Sequence, residues 1–85
     1  MAKADASEKV FNEQLVARTR KLRIASERTQ AEMAALLNIS VDRYKKYEKR
    51  SPLPHYLVPS FCAILDVSVS FFLTGREERR GQEAA

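Results

Sequence analysis

The 85-residue sequence has only one cysteine, two glycines and three prolines, and it has no tryptophan. A single cysteine, Cys62, cannot form an intramolecular disulfide, which excludes a disulfide-stapled scaffold and makes the cytoplasm the expected compartment. No apolar run approaches the roughly 20 residues that span a bilayer, and residues 1–9 lack the apolar stretch of a signal peptide. We therefore expect a cytoplasmic protein with no membrane partner.

Few side chains suited to catalysis are present. A chain of this size buries only about two-thirds of its unfolded surface, which leaves little volume for a substrate cavity beside a core. His55 is the only histidine, Cys62 is expected inside a helix, and two glycines cannot form a Gly-rich phosphate loop. We expect no enzyme, no catalytic residue, no metal and no cofactor.

Positive charge is concentrated in the middle of the chain. The formal net charge is +4, but residues 18–50 contain ten Lys and Arg against four Asp and Glu, a local charge of +6. Such a segment favours a polyanionic partner, nucleic acid before membrane, because neutralising phosphates releases condensed counterions. On charge alone, a solvated helical face is an equally good interpretation.

Hydrophobic spacing and capping residues predict the first three helices. A first amphipathic helix is expected over 10–28, and a capping box beginning at Thr29 starts the second. Asn38 tolerates the left-handed conformation that ends a helix, and Ser40 is an N-cap for a third helix over roughly 41–49. The apolar positions of helix one are Phe11, Leu15, Leu22 and Ala25, and those of helix three are Tyr44 and Tyr47.

Two further helices are expected in the last third of the domain. Pro59 fits the first turn of a fourth helix, where its missing N–H has no intrahelical acceptor. Residues 68–73 form a fifth helix or turn that stops at Gly75. A strand over 67–71 is less favoured, because a lone strand has no partner. The buried side of helix four is predicted to be Phe61, Cys62, Ile64 and Leu65.

The expected architecture is a compact all-α bundle of about five short helices over residues 10–75. Residues 1–9 are expected to be a flexible N-terminal segment, and residues 76–85 a polar C-terminal tail.

Two short helices joined by a tight turn, with a basic second helix, describe a helix-turn-helix. The motif consists of Gln30, Met33, Ala34, Leu37, Asn38, Ile39, Ser40, Tyr44, Tyr47 and Glu48. It resembles the Cro and phage-repressor type of helix-turn-helix domain, often called XRE-like, and most closely the 434-type repressors. The resemblance extends over about residues 12–75 and implies a lambda-repressor-like DNA-binding fold.

This resemblance implies that helix three, about 40–49, enters the major groove. Val41 could pack on a thymine methyl, Asp42 could accept from cytosine N4, and Lys46 could donate to guanine. Stabilisation of the helix dipole is an equally good interpretation of Asp42. The candidate phosphate contacts are Thr29, Gln30, Arg43, Lys45 and Lys49.

Other positions receive structural roles from the same resemblance. Arg23 and Glu48 occupy positions that form an ion pair in 434-type repressors. Thr19 and Arg28 depart from the family, because these positions are usually apolar. Leu53, Pro54 and Tyr56 lie in a loop where 434-type repressors have basic groups, which argues against minor-groove and backbone contacts from that loop. The candidate dimer surface consists of Val69, Phe71, Phe72 and Leu73. The alternative interpretation is that these side chains only close the core.

Two hypotheses about function follow. The first is a sequence-specific regulator of transcription, a repressor that binds double-stranded DNA and is a homodimer at least on DNA. The second is a protein-interaction module, such as an antitoxin or an accessory subunit, that keeps the fold with weak or no specific DNA binding. Asp42 and the apolar residues 71–73 motivate the second hypothesis.

Overall fold

The computed structural model describes residues 2–76, and the predicted tail lies outside the described residues except for Arg76. This part of the chain is all-α, with no strand, so the strand considered over 67–71 is absent. A 3-10 turn, His55–Leu57, precedes the fourth helix. The five α-helices are α1 (Ala2–Ala25), α2 (Gln30–Leu37), α3 (Val41–Tyr47), α4 (Val58–Leu65) and α5 (Val69–Thr74).

Helix α1 differs most from the sequence expectation. It begins at Ala2 instead of near residue 10, because residues 2–9 are mostly good helix formers and include no Gly or Pro. It ends at Ala25, before the predicted boundary at 28. The chain leaves the helix through Glu27, which has a left-handed φ of 64°.

Local capping confirms the predicted bounds of α2 and the predicted start of α3. Thr29 Oγ1 accepts from the Glu32 N–H at 3.0 Å, and the Glu32 carboxylate accepts from the Thr29 N–H at 2.8 Å. Asn38 ends α2 at φ 62° and ψ 44°. Ser40 Oγ accepts from the Arg43 N–H at 3.1 Å and so caps α3. Residues 38–40 are therefore a short, well-defined connection between two helices.

The core gathers side chains from all five helices. Tyr44 and Tyr47 are buried in it, as predicted from their apolar positions. Thr19 is also buried, and its hydroxyl donates to the Leu15 carbonyl at 2.8 Å, so its polar group is satisfied within α1. The predicted apolar face of α1 is partly wrong, since Phe11 and Ala25 are exposed. In α4, Phe61 and Cys62 are buried, whereas Ile64 and Leu65 are half-buried.

Helix α5 contributes a core residue that the sequence placed on a dimer surface. Phe72 is completely buried, and its ring centroid lies 5.1 Å from that of Phe61 in α4. Its assignment to a dimer surface is therefore wrong, because the helical turn directs it inward. Val69 remains 40% exposed, and Phe71 and Leu73 are half-buried.

An arginine of α1 holds the C-terminal end of α5. Arg18 Nη1 donates to the Phe72 carbonyl at 2.8 Å and to the Leu73 carbonyl at 3.4 Å. These carbonyls belong to the last turn of α5, where helical acceptors lack intrahelical donors. Gly75 follows at φ 76°, and a Cβ atom there would lie 2.6 Å from Arg18 Nη2. Glycine at this position therefore permits both the left-handed cap and the approach of the arginine.

We expect Gly75→Ala to lower the free energy of unfolding by about 1–3 kcal/mol, because alanine is strained at positive φ and its methyl group displaces Arg18. Urea denaturation measures the loss. In an Arg18→Ala background, the same substitution should cost only about 1 kcal/mol, since the steric part is gone. Equal stability of Gly75→Ala and the parent protein would show that neither the cap nor the arginine requires glycine here.

Candidate nucleic-acid interface

A buried ion pair joins α1 to the end of α3. Arg23 Nε lies 2.6 Å from Glu48 Oε2, and Arg23 Nη2 lies 3.1 Å from Glu48 Oε1, so the pair is bidentate. The Glu48 side chain is 1% exposed and that of Arg23 is 13% exposed. The hydrogen bond to Glu48 raises the pKa of Arg23 above its ordinary value. The ion pair expected at these positions is thus present.

This ion pair is the centre of a wider hydrogen-bond network. Arg23 Nη1 also donates to the Arg28 carbonyl at 2.8 Å, in the turn between α1 and α2. Gln30, the first residue of α2, donates its side-chain amide to Glu48 Oε1 at 3.1 Å. The network therefore joins α1, the following turn, the start of α2 and the end of α3. Gln30, a predicted phosphate contact, thus also has a protein partner, and its side-chain amide keeps a second N–H donor.

The network lies above a buried tyrosine hydroxyl. Tyr44 is completely buried, and its Oη has no hydrogen-bond partner among the described residues. Burial, reinforced by the neighbouring Glu48 carboxylate, raises the pKa of Tyr44 far above its ordinary value. Tyr44 is therefore a neutral core residue and is not available to stack on a base.

The opposite side of α3 is exposed. Tyr44, Tyr47 and Glu48 face the core, and at 3.6 residues per turn Asp42 and Lys46 lie at the centre of the outward face. Lys45 lies on one flank of that face and Arg43 on the other. Lys49 lies in the turn that follows α3, two residues beyond its end at Tyr47. We call this surface the α3 face; it comprises Val41, Asp42, Arg43, Lys45, Lys46 and Lys49, all of which are exposed. It brings together most of the residues predicted to contact DNA.

Arg43 makes a contact that the sequence did not reveal. Its Nε donates to the Tyr47 hydroxyl at 2.8 Å, and its Nη2 donates to the Tyr56 hydroxyl. These hydrogen bonds, the one to Tyr47 first, raise the pKa of Arg43. Tyr56 belongs to the 3-10 turn and is 56% exposed. No local pattern signals the contact with Tyr56, because it joins a helix to a separate turn.

More positive side chains lie beside the lysine flank of the α3 face. A cleft of about 380 Å³ between α1 and the residues after α3 is lined in part by Arg20, Lys49 and Arg50, together with Glu13. Arg20 and Arg50 were not among the predicted site residues, although both belong to the basic segment. Thr29, a predicted phosphate contact, is exposed and uses its hydroxyl oxygen in the α2 cap.

No protein-family model, curated protein or solved structure matches this chain. Across residues 2–76, no helix is both long and apolar enough to cross a bilayer. The same residues include no group of three or more His, Cys, Asp or Glu side chains placed to hold a metal ion.

We expect Glu48→Ala to lower the free energy of unfolding by about 3–5 kcal/mol, because it leaves the mostly buried Arg23 charge without a partner. Chemical denaturation measures the change. The matched control is Glu13→Ala, an exposed position on α1, which should change stability by less than about 0.5 kcal/mol. Similar small effects for both variants would show that the ion pair does not organise the fold.

We expect Tyr44→Phe to keep or raise the free energy of unfolding, by up to about 1 kcal/mol, because it removes a buried hydroxyl that has no partner. The difference should widen in favour of the variant above the ordinary tyrosine pKa of 10.0. Unfolded Tyr44 then ionises whereas folded Tyr44 does not, so the wild-type protein loses stability as the pH rises. Thermal unfolding at about pH 7 and about pH 11 measures both effects, and a loss above about 1 kcal/mol at neutral pH would contradict them.

Proposed function

We propose that this protein is a sequence-specific DNA-binding regulator of transcription, and that α2 and α3 act as a lambda-repressor-like helix-turn-helix. The observation behind the proposal is the α3 face, where three lysines and Arg43 are exposed beside Asp42 and Val41, while the other side of the helix is buried. Cations presented together on a rigid helix suit a ligand with regularly spaced phosphates. The Arg23–Glu48 network supports the proposal, because it holds α2 and α3 in one arrangement.

The dimensions of α3 suit the major groove. An α-helix with its side chains is about 10–12 Å across, and the groove is about 12 Å wide. In that position Lys46 can donate to guanine O6 or N7, Asp42 can accept from cytosine N4, and the exposed Val41 can contact a thymine methyl. Thr29, at the start of α2, lies where free backbone N–H groups of a helix attract phosphate.

We further propose that the protein acts as a homodimer on DNA and represses transcription by occupying an operator. One domain of this kind reads few base pairs, so two copies on half-sites about one helical turn apart are the usual arrangement. Since Phe72 belongs to the core, the surface left for pairing on α5 consists of Val69, Phe71 and Leu73. An intracellular, cytoplasmic location accords with this role.

A second candidate function is a protein-interaction module, such as an antitoxin or an accessory subunit. Asp42 at the centre of the α3 face favours it, because a carboxylate there repels phosphate. In this alternative the fold is kept and specific DNA binding is weak or absent.

A selection experiment separates the two functions. The full-length protein is incubated with random-sequence duplex DNA at about 150 mM salt, where non-specific binding is weak, and the retained DNA is sequenced. Recovery of an inverted repeat supports a dimeric, sequence-reading regulator. A retained pool identical to the input, obtained with folded protein, contradicts the proposal and favours the interaction module.

Two lysines on the α3 face should behave differently. We expect Lys46→Ala to lower affinity for the selected site by about 1–3 kcal/mol and to relax the preference at one base position. Lys49→Ala should weaken binding to all duplexes to the same extent, because a phosphate contact is independent of sequence. Titration of both variants against the selected site and single-base variants measures this. An equal loss on every sequence for Lys46→Ala would rule out its base-reading role.

A further inference from the structure

We propose that Arg43, Tyr47 and Tyr56 form a phosphate clamp, in which the exposed Tyr56 hydroxyl and the Arg43 guanidinium donate together to one DNA strand. The proposal rests on the DNA-binding function above and adds Tyr56, a residue that no basic pattern marks. The clamp consists of side chains from α3 and from the 3-10 turn before α4.

The directions of the hydrogen bonds leave donors available to a ligand. A guanidinium group only donates, so the oxygens of Tyr47 and Tyr56 accept from Arg43. Each phenol keeps one O–H proton, and neither donates it to a described residue. Arg43 uses two of its five N–H groups in these bonds, so others remain. The cluster offers several hydrogen-bond donors and contains no carboxylate. It therefore suits a negatively charged ligand with several acceptor oxygens, such as phosphate.

Tyr47 and Tyr56 differ in burial and therefore have different roles in the clamp. Tyr47 is only 8% exposed and is fixed in the core, whereas Tyr56 is 56% exposed. The guanidinium carbon lies 5.9 Å from the centroid of the Tyr47 ring, so Tyr47 holds Arg43 by a hydrogen bond and by its ring face. Arg43 in turn holds the Tyr56 hydroxyl and polarises it toward an acceptor. Tyr47 is thus a positioning residue, and Tyr56 contacts phosphate together with Arg43.

The clamp lies on the correct side of α3 to complement the lysines. Arg43 is on the flank opposite Lys45, and Tyr56, whose hydroxyl accepts from Arg43, extends that flank. A helix in the major groove has one sugar-phosphate strand on either side. The lysine flank therefore faces one strand, and the clamp faces the other. The 3-10 turn thus contributes a tyrosine hydroxyl to the phosphate contact instead of a basic side chain.

Fluorescence anisotropy with a labelled duplex of about 20 base pairs and mixed sequence, in about 50 to 200 mM salt, tests the clamp. We expect Tyr56→Phe to weaken binding roughly three- to tenfold on every sequence, as the loss of one hydrogen bond does. The salt dependence should not change, because the hydroxyl is uncharged. Arg43→Gln should weaken binding and also lower the salt slope by about one.

Two comparisons separate phosphate contact from a structural effect. Tyr44→Phe removes a phenol hydroxyl from the buried side of the same helix and should leave the affinity unchanged. In an Arg43→Gln background, Tyr56→Phe should cost less than in the wild type, because the arginine no longer orients the hydroxyl. If circular dichroism shows that Tyr56→Phe alters the fold, Arg43→Lys is the second test. It keeps the charge but lacks the fork, so binding should weaken with an unchanged salt slope.

The binding measurements distinguish failure of the clamp from failure of the proposed DNA-binding function. A folded wild-type protein that does not bind the duplex overturns both the clamp and the proposed function. Wild-type binding with equal affinity for a folded Tyr56→Phe overturns the clamp alone and leaves the DNA-binding function in place. Unchanged affinity for Arg43→Lys, in the case where Tyr56→Phe alters the fold, overturns the clamp as well.

Discussion

The bidentate pair between Arg23 and Glu48 is the interaction on which the arrangement of α1, α2 and α3 depends. Arg23 also reaches the Arg28 carbonyl, and Gln30 adds a second donor to Glu48, so one carboxylate receives bonds from two helices. A buried ion pair contributes little net stability, but its loss leaves an uncompensated charge, and alternative arrangements that separate the partners are therefore strongly disfavoured. Together with the core packing of α2 against α3, it therefore favours one orientation of the two helices.

This orientation divides α3 into two sides with different chemistry. Tyr44, Tyr47 and Glu48 are used by the core and the network, so the side chains left outside are mostly cationic. A chain of 85 residues has a small core, which leaves little volume for an enclosed cavity. The proposed DNA-binding function and the proposed clamp both use side chains that point away from this core.

The core also limits how copies of the chain can pair. Because Phe72 packs against Phe61, α5 is held to α4, and Arg18 holds the end of α5 to α1. These contacts leave a smaller apolar surface on α5 than four outward apolar side chains would provide. Any dimer formed there would rely on Val69 and on the exposed parts of Phe71 and Leu73.

Features that depend on neighbouring residues could be predicted from the sequence, whereas contacts between separate elements could not. The caps at Thr29, Asn38, Ser40 and Gly75 were predicted correctly, because each is a contact or backbone conformation within about four positions. The all-α class followed from helical periodicity for the same reason. The early start of α1 was missed, because residues 2–9 have helix-forming composition but no apolar periodicity.

The contacts that were not predicted join residues of different elements. They are the packing of the buried Phe72 and the bonds from Gln30 to Glu48 and from Arg43 to Tyr56. Periodicity assigns a residue to a face of its own helix, but the partner of that face is set by the packing of the whole core, and no local stretch of sequence contains that information.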